Sequence, residues 1–312
     1  RLSGAMVMAL VVGLLLAYIL ANNITTPIRI LDRGMNRLAS GDLQTRISQQ
    51  MDDRGDELSS LAVQFDKMAA QLQKLVEKER HLLHHVSHEM RSPLARMQAI
   101  VGLIQAQPQK QEQYVQRLET ELVRMDNLVG ELLTLARLET ANVPMEKEPL
   151  ALLPFLNHLV EDSQTIAQAN RQSVLLKIDD KIPADAQVDA NEDYLYRAFD
   201  NVIRNAMSYS PEGSSIQLHL RQDNKQWLID VFDNGPGVDE RQLPHIFTAF
   251  YRADSSANKQ GTGLGLAIAK HIIGQHNGKI MAENTQPNGL RIYFSLPKSS
   301  AKRIKEVKNP SS

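Results

Sequence analysis

The chain has 312 residues, a formal net charge of −1 and no cysteine. That length exceeds the usual single domain and allows two or more. The small net charge implies no nucleic-acid partner, and the missing cysteines exclude disulfides and thiolate chemistry while leaving the redox compartment open. The sequence opens on Arg1 rather than Met, so upstream residues are expected. From Gly4 to Ala21 the residues are small or apolar apart from Tyr18, a run long enough to cross most of a bilayer as a helix. A signal peptide would have a shorter apolar core with a small-residue cleavage site behind it, and a buried core helix is the other reading. A transmembrane helix is therefore expected over residues 1–22. Arg29, Arg33 and Arg37 follow it, which by the positive-inside tendency makes that side cytoplasmic.

Ile24, Ile28, Leu31, Met35 and Leu38 recur at helical spacing and predict a short amphipathic helix with Pro27 near its start. Ser40-Gly41-Asp42-Leu43 breaks it, a connector runs to Asp56-Glu57, and Leu58, Leu61, Phe65, Met68 and Leu72 predict a second helix. Helix, glycine-containing connector and helix immediately inside a membrane resemble a HAMP relay. Pro27 and Glu57 stand where that family has its characteristic proline and glutamate, although a plain membrane-proximal coiled coil has the same periodicity. The steps from Met68 to Leu72 and from Leu72 to Val76 are both four. This is a stutter, which locally unwinds a coiled coil and gives residues 72–76 two alternative packings, the second through Leu75.

From Leu72 the apolar positions step by four and three through Val76, Leu83, Val86, Met90, Met97, Ile100 and Ile104, with Glu79 and Pro93 the only breaks. This pattern predicts a heptad seam. With Val86 at d and Met90 at a, His88 falls at f, farthest from the seam, and is expected to face solvent. An imidazole becomes a nucleophile when one ring nitrogen is unprotonated and a neighbouring base holds the proton on the other. Glu89 is next in sequence, and Ser92, one turn on, shares the helix face of His88 and could position a water or bond an incoming phosphoryl group. Pro93 removes the backbone bond to the Glu89 carbonyl, so a bend is expected just past the histidine. The run His-Glu-x-x-Ser-Pro at residues 88–93 resembles the phosphoacceptor box of bacterial sensor histidine kinases. On the residues alone, His81, His84, His85 and His88 also read as a solvated histidine-rich turn or as a His-x-x-x-His zinc face.

That helix ends near Pro108, and a second heptad helix returns through Val115, Leu118, Leu122, Met125, Val129, Leu132 and Ala136. Two antiparallel helices cannot bury such seams by themselves. A two-fold homodimer forming an antiparallel four-helix bundle can. Val143-Pro144 to Glu148-Pro149 reads as a linker. Beyond it, helical patterns at 155–170, 193–208 and 264–276 are interspersed with strand patterns at 174–178, 216–221, 227–232, 279–283 and 290–296. Helices layered on a mixed sheet make an α/β sandwich. The basic tail around Lys302-Arg303-Ile304-Lys305 reads as a solvated end.

Within that sandwich, Asn201 and Asn205 stand four apart on a helix-period segment. Two amide oxygens on one face suit a hard cation such as Mg²⁺ bridging triphosphate oxygens. Asp233-Asn234-Gly235-Pro236-Gly237 follows a strand. A carboxylate there can accept a bond from an adenine amino group, and the glycines let backbone approach the base. Gly261-Thr262-Gly263-Leu264-Gly265-Leu266 opens a helix, where free N–H groups can hold phosphates. A dinucleotide fingerprint would need glycine at 266 and a preceding strand, whereas polar residues 253–260 read as a mobile loop. No Gly-Lys-Ser/Thr phosphate loop is present.

These segments resemble the N, G1 and G2 boxes of the histidine kinase ATPase domain, of Bergerat or GHKL type, and Phe247-Thr248-Ala249-Phe250-Tyr251-Arg252 resembles its F box. With the histidine box, the chain is identified as a member of the HAMP-containing transmembrane sensor histidine kinases, of the EnvZ/Cpx-like class. The resemblance implies ATP-dependent phosphorylation of His88, transfer to an aspartate of a cytoplasmic response regulator, and phosphatase activity toward that regulator. It makes His88 the nucleophile, Glu89 the base and Ser92 a further catalytic residue. Asn201 and Asn205 would bear on Mg²⁺, with Tyr209, Asp233, Gly235, Gly237, Arg252, Gly261, Thr262, Gly263, Leu264 and Gly265 on ATP. It implies a homodimer in the bacterial inner membrane with its catalytic part cytoplasmic. The domains would run 1–22 (transmembrane), 23–76 (HAMP relay and signalling helix), 77–142 (dimerisation and phosphotransfer hairpin), 143–298 (ATP-binding) and 299–312 (tail). Two other classes share parts of the pattern. The His88 box counts against a GHKL conformational ATPase without phosphohistidine, and the intact nucleotide boxes count against a non-catalytic HAMP scaffold.

Overall fold

The computed structural model describes residues 2–51, 56–139, 145–253 and 261–299, in two compact units, Arg1–His88 and Glu89–Ser312. The expected loop at 254–260, the start of the expected linker at Val143-Pro144, the basic tail and the side chain of His81 lie outside the described residues.

The first unit begins with α1 (Leu2–Leu20), which passes through a π-helical turn at Ala21–Thr25 into α2 (Thr26–Ala39). From Gly4 the helical stretch is long and apolar enough to cross a membrane. Pro27 lies in the first turn of α2, where a missing N–H costs nothing. The helix stops at Ser40, and Gly41 turns the chain with φ +95°. Arg37 clasps Asp42 across that turn (2.5 Å). The connector then folds back and buries Ile47 and Met51 with Leu31, Ala62, Phe65 and Ala69 in one small core. Glycine is required at position 34, because a Cβ there would meet Ile47 Cγ2 at 2.8 Å. Asp66 holds the connector down by accepting from the N–H groups of Ile47 (2.8 Å) and Ser48 (3.1 Å). Burial alone would raise the Asp66 carboxyl. The bonds from the Ser48 side chain and the two backbone N–H groups, with Arg46 nearby, outweigh it and hold the group below its ordinary value.

This core corrects one expectation. Phe65 of the predicted stripe is buried and Leu58 packs against the core, but Leu61, Met68 and Leu72 are exposed, as are Ile24, Ile28 and Met35 of the first helix, while Ala62 and Ala69 are buried. The connector covers a face that shares only Leu58 and Phe65 with the apolar stripe of the second helix, and the alanines beside them let it come close. Leu72 and Leu75 are exposed and Val76 is half-buried, so neither register of residues 72–76 is packed within one chain.

The long helix α3 (Glu57–Ala106) continues through Pro93 without a break in helical structure. In the second unit its end leads through a short 3-10 turn, Pro108–Lys110, into α4 (Gln111–Glu139). Tyr114, Glu121, Leu128 and Leu135 are buried at seven-residue intervals on α4, whereas Val115, Leu122, Val129 and Ala136 of the predicted seam are exposed. The intrachain seam is thus offset by one residue. It carries a charge that apolar periodicity does not register: Glu121 accepts from Arg96 of α3 (3.0 Å) and from Arg124 (2.6 Å).

The remaining elements are β1 (Glu148–Ala151), α5 (Leu152–Ala169), β2 (Ser173–Ile178), β3 (Gln187–Ala190), α6 (Glu192–Tyr209), β4 (Ser215–Gln222), β5 (Gln226–Phe232), α7 (Gly265–Gln275), β6 (Lys279–Asn284) and β7 (Leu290–Pro297). Five strands form one sheet in the order β2-β4-β5-β7-β6, with β2 and β4 parallel and the other pairs antiparallel. Ile216, Leu218 and Leu220 of β4, Ile229 and Val231 of β5, and Ile292, Phe294 and Leu296 of β7 are buried at alternate positions, the period-2 pattern of a sheet with one face against helices. Phe199 of α6 meets Phe294 at 4.5 Å and Phe155 of α5 at 5.9 Å between ring centroids. The expected mixed α/β sandwich is present. Two short strands were not expected: β1 pairs with β3, so Glu148 and Pro149 belong to a strand rather than to the linker. A four-residue strand containing proline shows no alternation from which it could be read.

Candidate active site

Asn191 begins α6 by accepting from the N–H of Tyr194 (3.2 Å) with its side chain. His276, buried at the end of α7, accepts from the N–H of Asn191 through Nε2 (3.1 Å) and lies 2.7 Å from the Ile272 carbonyl through Nδ1. So fixed, α6 presents Asn201, Asn205 and Tyr209, each one turn beyond the last, along one side of a cleft of about 300 Å³. Asp233, Gly235, Gly237, Arg252, Gly261, Thr262, Gly263 and Gly265 line the same cleft. Residues spread over 65 positions of sequence thus meet in one place.

Asp233 is buried one residue beyond β5. Its Oδ1 accepts from the N–H groups of Gly235 (2.8 Å) and Leu290 (3.0 Å), and its own N–H donates to the Leu290 carbonyl (3.0 Å). Two glycines make this possible. A Cβ on Gly235 would lie 3.0 Å from Asp233 Oδ1 and 3.1 Å from the Tyr209 carbonyl. On Gly289, whose φ is +123°, it would come within 2.2 Å of the Asp233 carbonyl.

At the other end of the cleft, Gly263 has φ +71° and its carbonyl accepts from the N–H of Phe250 (2.9 Å). Phe250 itself has φ +63°, a left-handed conformation that costs a non-glycine residue energy. The predicted F and G2 boxes are therefore joined backbone to backbone. Asn201 Nδ2 donates to the Gly265 carbonyl at the start of α7 (3.2 Å). The Leu264 side chain is fully buried, and its N–H donates to the Thr262 hydroxyl (3.2 Å). The cleft offers amide oxygens on one wall and backbone without side chains on the other, a donor set that fits a phosphate chain and a hard, oxygen-seeking cation.

Glu131 of α4 also lines the cleft, and sequence reasoning missed it. It accepts from the Thr262 hydroxyl (2.5 Å), while Arg197 bonds the adjacent Gly130 carbonyl (3.2 Å) and Gln275 bonds the Leu138 carbonyl (2.8 Å). Burial raises the Glu131 carboxyl above its ordinary value; the Thr262 bond and the Arg197 charge offset part of the rise. A raised acid favours the packed state when protonated. Its contribution is full below the ordinary carboxylate value and is lost as pH rises through the raised one. Glu131→Gln, neutral and of the same shape, should therefore raise the thermal midpoint at neutral pH and remove this part of its pH dependence. An unchanged midpoint-against-pH curve would show that the carboxyl titrates as if exposed.

His88, in the first unit, is exposed as its heptad position implied, with its ring centroid 4.5 Å from that of His84. In the second unit Glu89 is half-buried, and the exposed Ser92 accepts from Arg96 Nη1 (2.6 Å).

Three domain families match the chain in series: the HAMP domain over residues 19–74, the His Kinase A (phospho-acceptor) domain over 78–141, and the histidine kinase-, DNA gyrase B- and HSP90-like ATPase over 190–300. Together and in this order, these are the domains of sensor histidine kinases. Among the chain's relatives, the signal transduction histidine-protein kinase BaeS of Escherichia coli is 31% identical over 293 residues, covering 93% of this chain and 61% of the relative. The sensor protein PfeS of Pseudomonas aeruginosa is 33% identical over 284 residues, covering 91% and 61%. The chain thus spans about three fifths of the length of these relatives. Among solved structures, the histidine kinase ThkA in complex with response regulator protein TrrA has a TM-score of 0.60 at 21% identity, covering 73% of this chain and 64% of that one. The Acinetobacter baumannii histidine kinase AdeS has 0.55 at 20%, covering 67% and 97%. At such identities the likeness is one of fold.

Proposed function

We propose that this chain transfers the γ-phosphoryl group of ATP to His88 and then to an aspartate of a cytoplasmic response regulator. It would act as a homodimer in the bacterial inner membrane, with the residues beyond α1 cytoplasmic. The observation that carries this reading is the convergence of the Asn201, Asp233, Phe250 and Gly263 segments on one cleft, in a chain that also holds an exposed histidine in an acceptor box.

In this reading Asp233 receives the adenine amino group, and Gly235 and Gly237 let the base lie against backbone. Tyr209 closes the α6 side. Gly261, Thr262, Gly263 and Gly265 cradle the phosphates and Arg252 bears on the γ-phosphate. Mg²⁺ would be held by Asn205 and Asn201 and would neutralise charge on the triphosphate. One imidazole nitrogen of His88 attacks the γ-phosphorus. The nitrogen–phosphorus bond forms as the bridging oxygen–phosphorus bond breaks, ADP leaves with the electron pair, and Glu89 takes the ring proton. Exposed apolar stripes on α2, α3 and α4 support the homodimer, since a four-helix arrangement would bury them. The apolar α1 and the arginines behind it support the orientation.

Incubation with γ-labelled ATP should give a label on the chain that is lost in acid and kept in base. An acid-stable label, or hydrolysis of ATP without any label, would overturn the reading. Ser92→Ala should impair dephosphorylation of the regulator more than phosphorylation of the chain, because the hydroxyl one turn from His88 would orient the hydrolytic water. Equal losses in the two assays would make Ser92 a structural partner of Arg96.

A further inference from the structure

The four-residue spacing that stacks His84 over His88 does more than crowd an acceptor. We propose that His84 and His88 form a site for a divalent transition-metal ion of the Zn²⁺, Ni²⁺ or Cu²⁺ class, and that its occupancy withdraws His88 from phosphoryl transfer. The second clause rests on the acceptor role proposed for His88; the first does not.

The two side chains project from the same face of α3, both exposed, with ring centroids 4.5 Å apart and planes inclined at 64°. A metal ion bound to two imidazoles sits about 2.0–2.1 Å from each nitrogen, which places those nitrogens roughly 3 Å apart. Rings at the observed separation reach that spacing by turning about χ2, a broad and soft torsion in histidine. Histidines at i and i+4 on one helical face are a recurring zinc-binding arrangement for this geometric reason. His85 lies around the helix, its ring 6.0 Å from that of His84.

Among the described residues no group of three or more His, Cys, Asp or Glu side chains converges to hold a metal. In the proposed site the two imidazoles are therefore the protein ligands, with water completing the shell. The f position agrees with this, since it points away from any helix packed on the seam. Imidazole suits zinc, nickel and copper, whereas Mg²⁺ prefers oxygen, so the ion that accompanies ATP does not compete for the pair. The nitrogen lone pair that would attack phosphorus is the one that binds the metal. It cannot do both, so metal and phosphoryl group exclude each other at His88 while the nucleotide cleft is untouched.

The test uses the untagged chain in detergent. Zn²⁺ is titrated by calorimetry without nucleotide, and label incorporation from γ-labelled ATP is then followed against Zn²⁺. His84→Ala removes one ligand at an exposed helical position where alanine is well tolerated. It should weaken Zn²⁺ binding by more than the roughly 10- to 100-fold that loss of a mere outer-shell partner costs. Its metal-free phosphorylation should stay near wild type and lose its sensitivity to Zn²⁺, whereas His85→Ala should bind as wild type does. Equal Zn²⁺ affinity in wild type and His84→Ala overturns the site. Inhibition that persists in His84→Ala overturns the link to His88. Label found on a residue other than His88 refutes the acceptor reading and with it the second clause, while the calorimetric result still decides the first.

Discussion

His88→Gln should reduce label incorporation from γ-labelled ATP to background while nucleotide affinity stays nearly unchanged. The substitution sits on an exposed face of α3, and glutamine is as good a helix former as the neighbours it joins. Only the proposed nucleophile is lost. Because the nucleotide cleft is lined by other segments, a fluorescent ATP analogue should bind the variant as tightly as wild type. The neighbouring histidines make this a demanding test. Label on His84 or His85 in the variant would move the acceptor by one turn or less and sink the assignment to His88.

The second large effect is expected at Asp233. Asp233→Ala leaves the N–H groups of Gly235 and Leu290 without their acceptor, and a buried donor so stranded costs about 1–3 kcal/mol. Two of them amount to about 2–6 kcal/mol, a large fraction of the stability of an ordinary domain. The variant should melt markedly earlier and bind no measurable ATP. Asp233→Asn separates the two roles, because its amide oxygen can still accept from both N–H groups. That variant should keep most of its thermal midpoint and still lose ATP, since it presents the adenine amino group with an uncharged side chain. Wild-type ATP affinity in Asp233→Asn would make the carboxylate an anchor of the loop rather than a reader of the base.

Much of the cleft was legible because its parts are short runs of unusual residues. Amides one turn apart on a helix, an Asp-Asn-Gly turn after an alternating strand and a glycine-rich helix start each carry a local physical signature. What escaped reading has none. Glu131 is one charged residue among several on a heptad helix, and only the docking of α4 on Thr262 brings it to the cleft. Gly289 stands in a short hairpin turn, and nothing local says that its missing Cβ makes room for the Asp233 carbonyl. The first unit shows the same limit. Ile47 and Met51 lie in a connector without periodicity, so the core they make with Ala62, Phe65 and Ala69 could not be told from the stronger leucine stripe beside it. Glu121 occupies a seam position that an apolar count skips, and Arg96, its partner, is 25 residues away in sequence.

The reciprocal bonds between Asp233 and Leu290 extend the β5–β7 pairing by one rung, with a carboxylate oxygen standing in for a carbonyl. The group proposed to meet adenine is therefore held by the sheet itself and not by a loop that must first find its shape. In thermodynamic terms the base end of the cleft is preorganised, and little conformational entropy remains to be surrendered there when a nucleotide arrives. In the proposed mode of binding, the ordering cost of loading falls instead on the glycine-rich end, where Thr262 is bonded to Glu131. On the proposed function, affinity for the adenosine moiety would thus be built into the architecture of the domain, while discrimination between nucleotides by their phosphate number would be left to the segment that α4 touches.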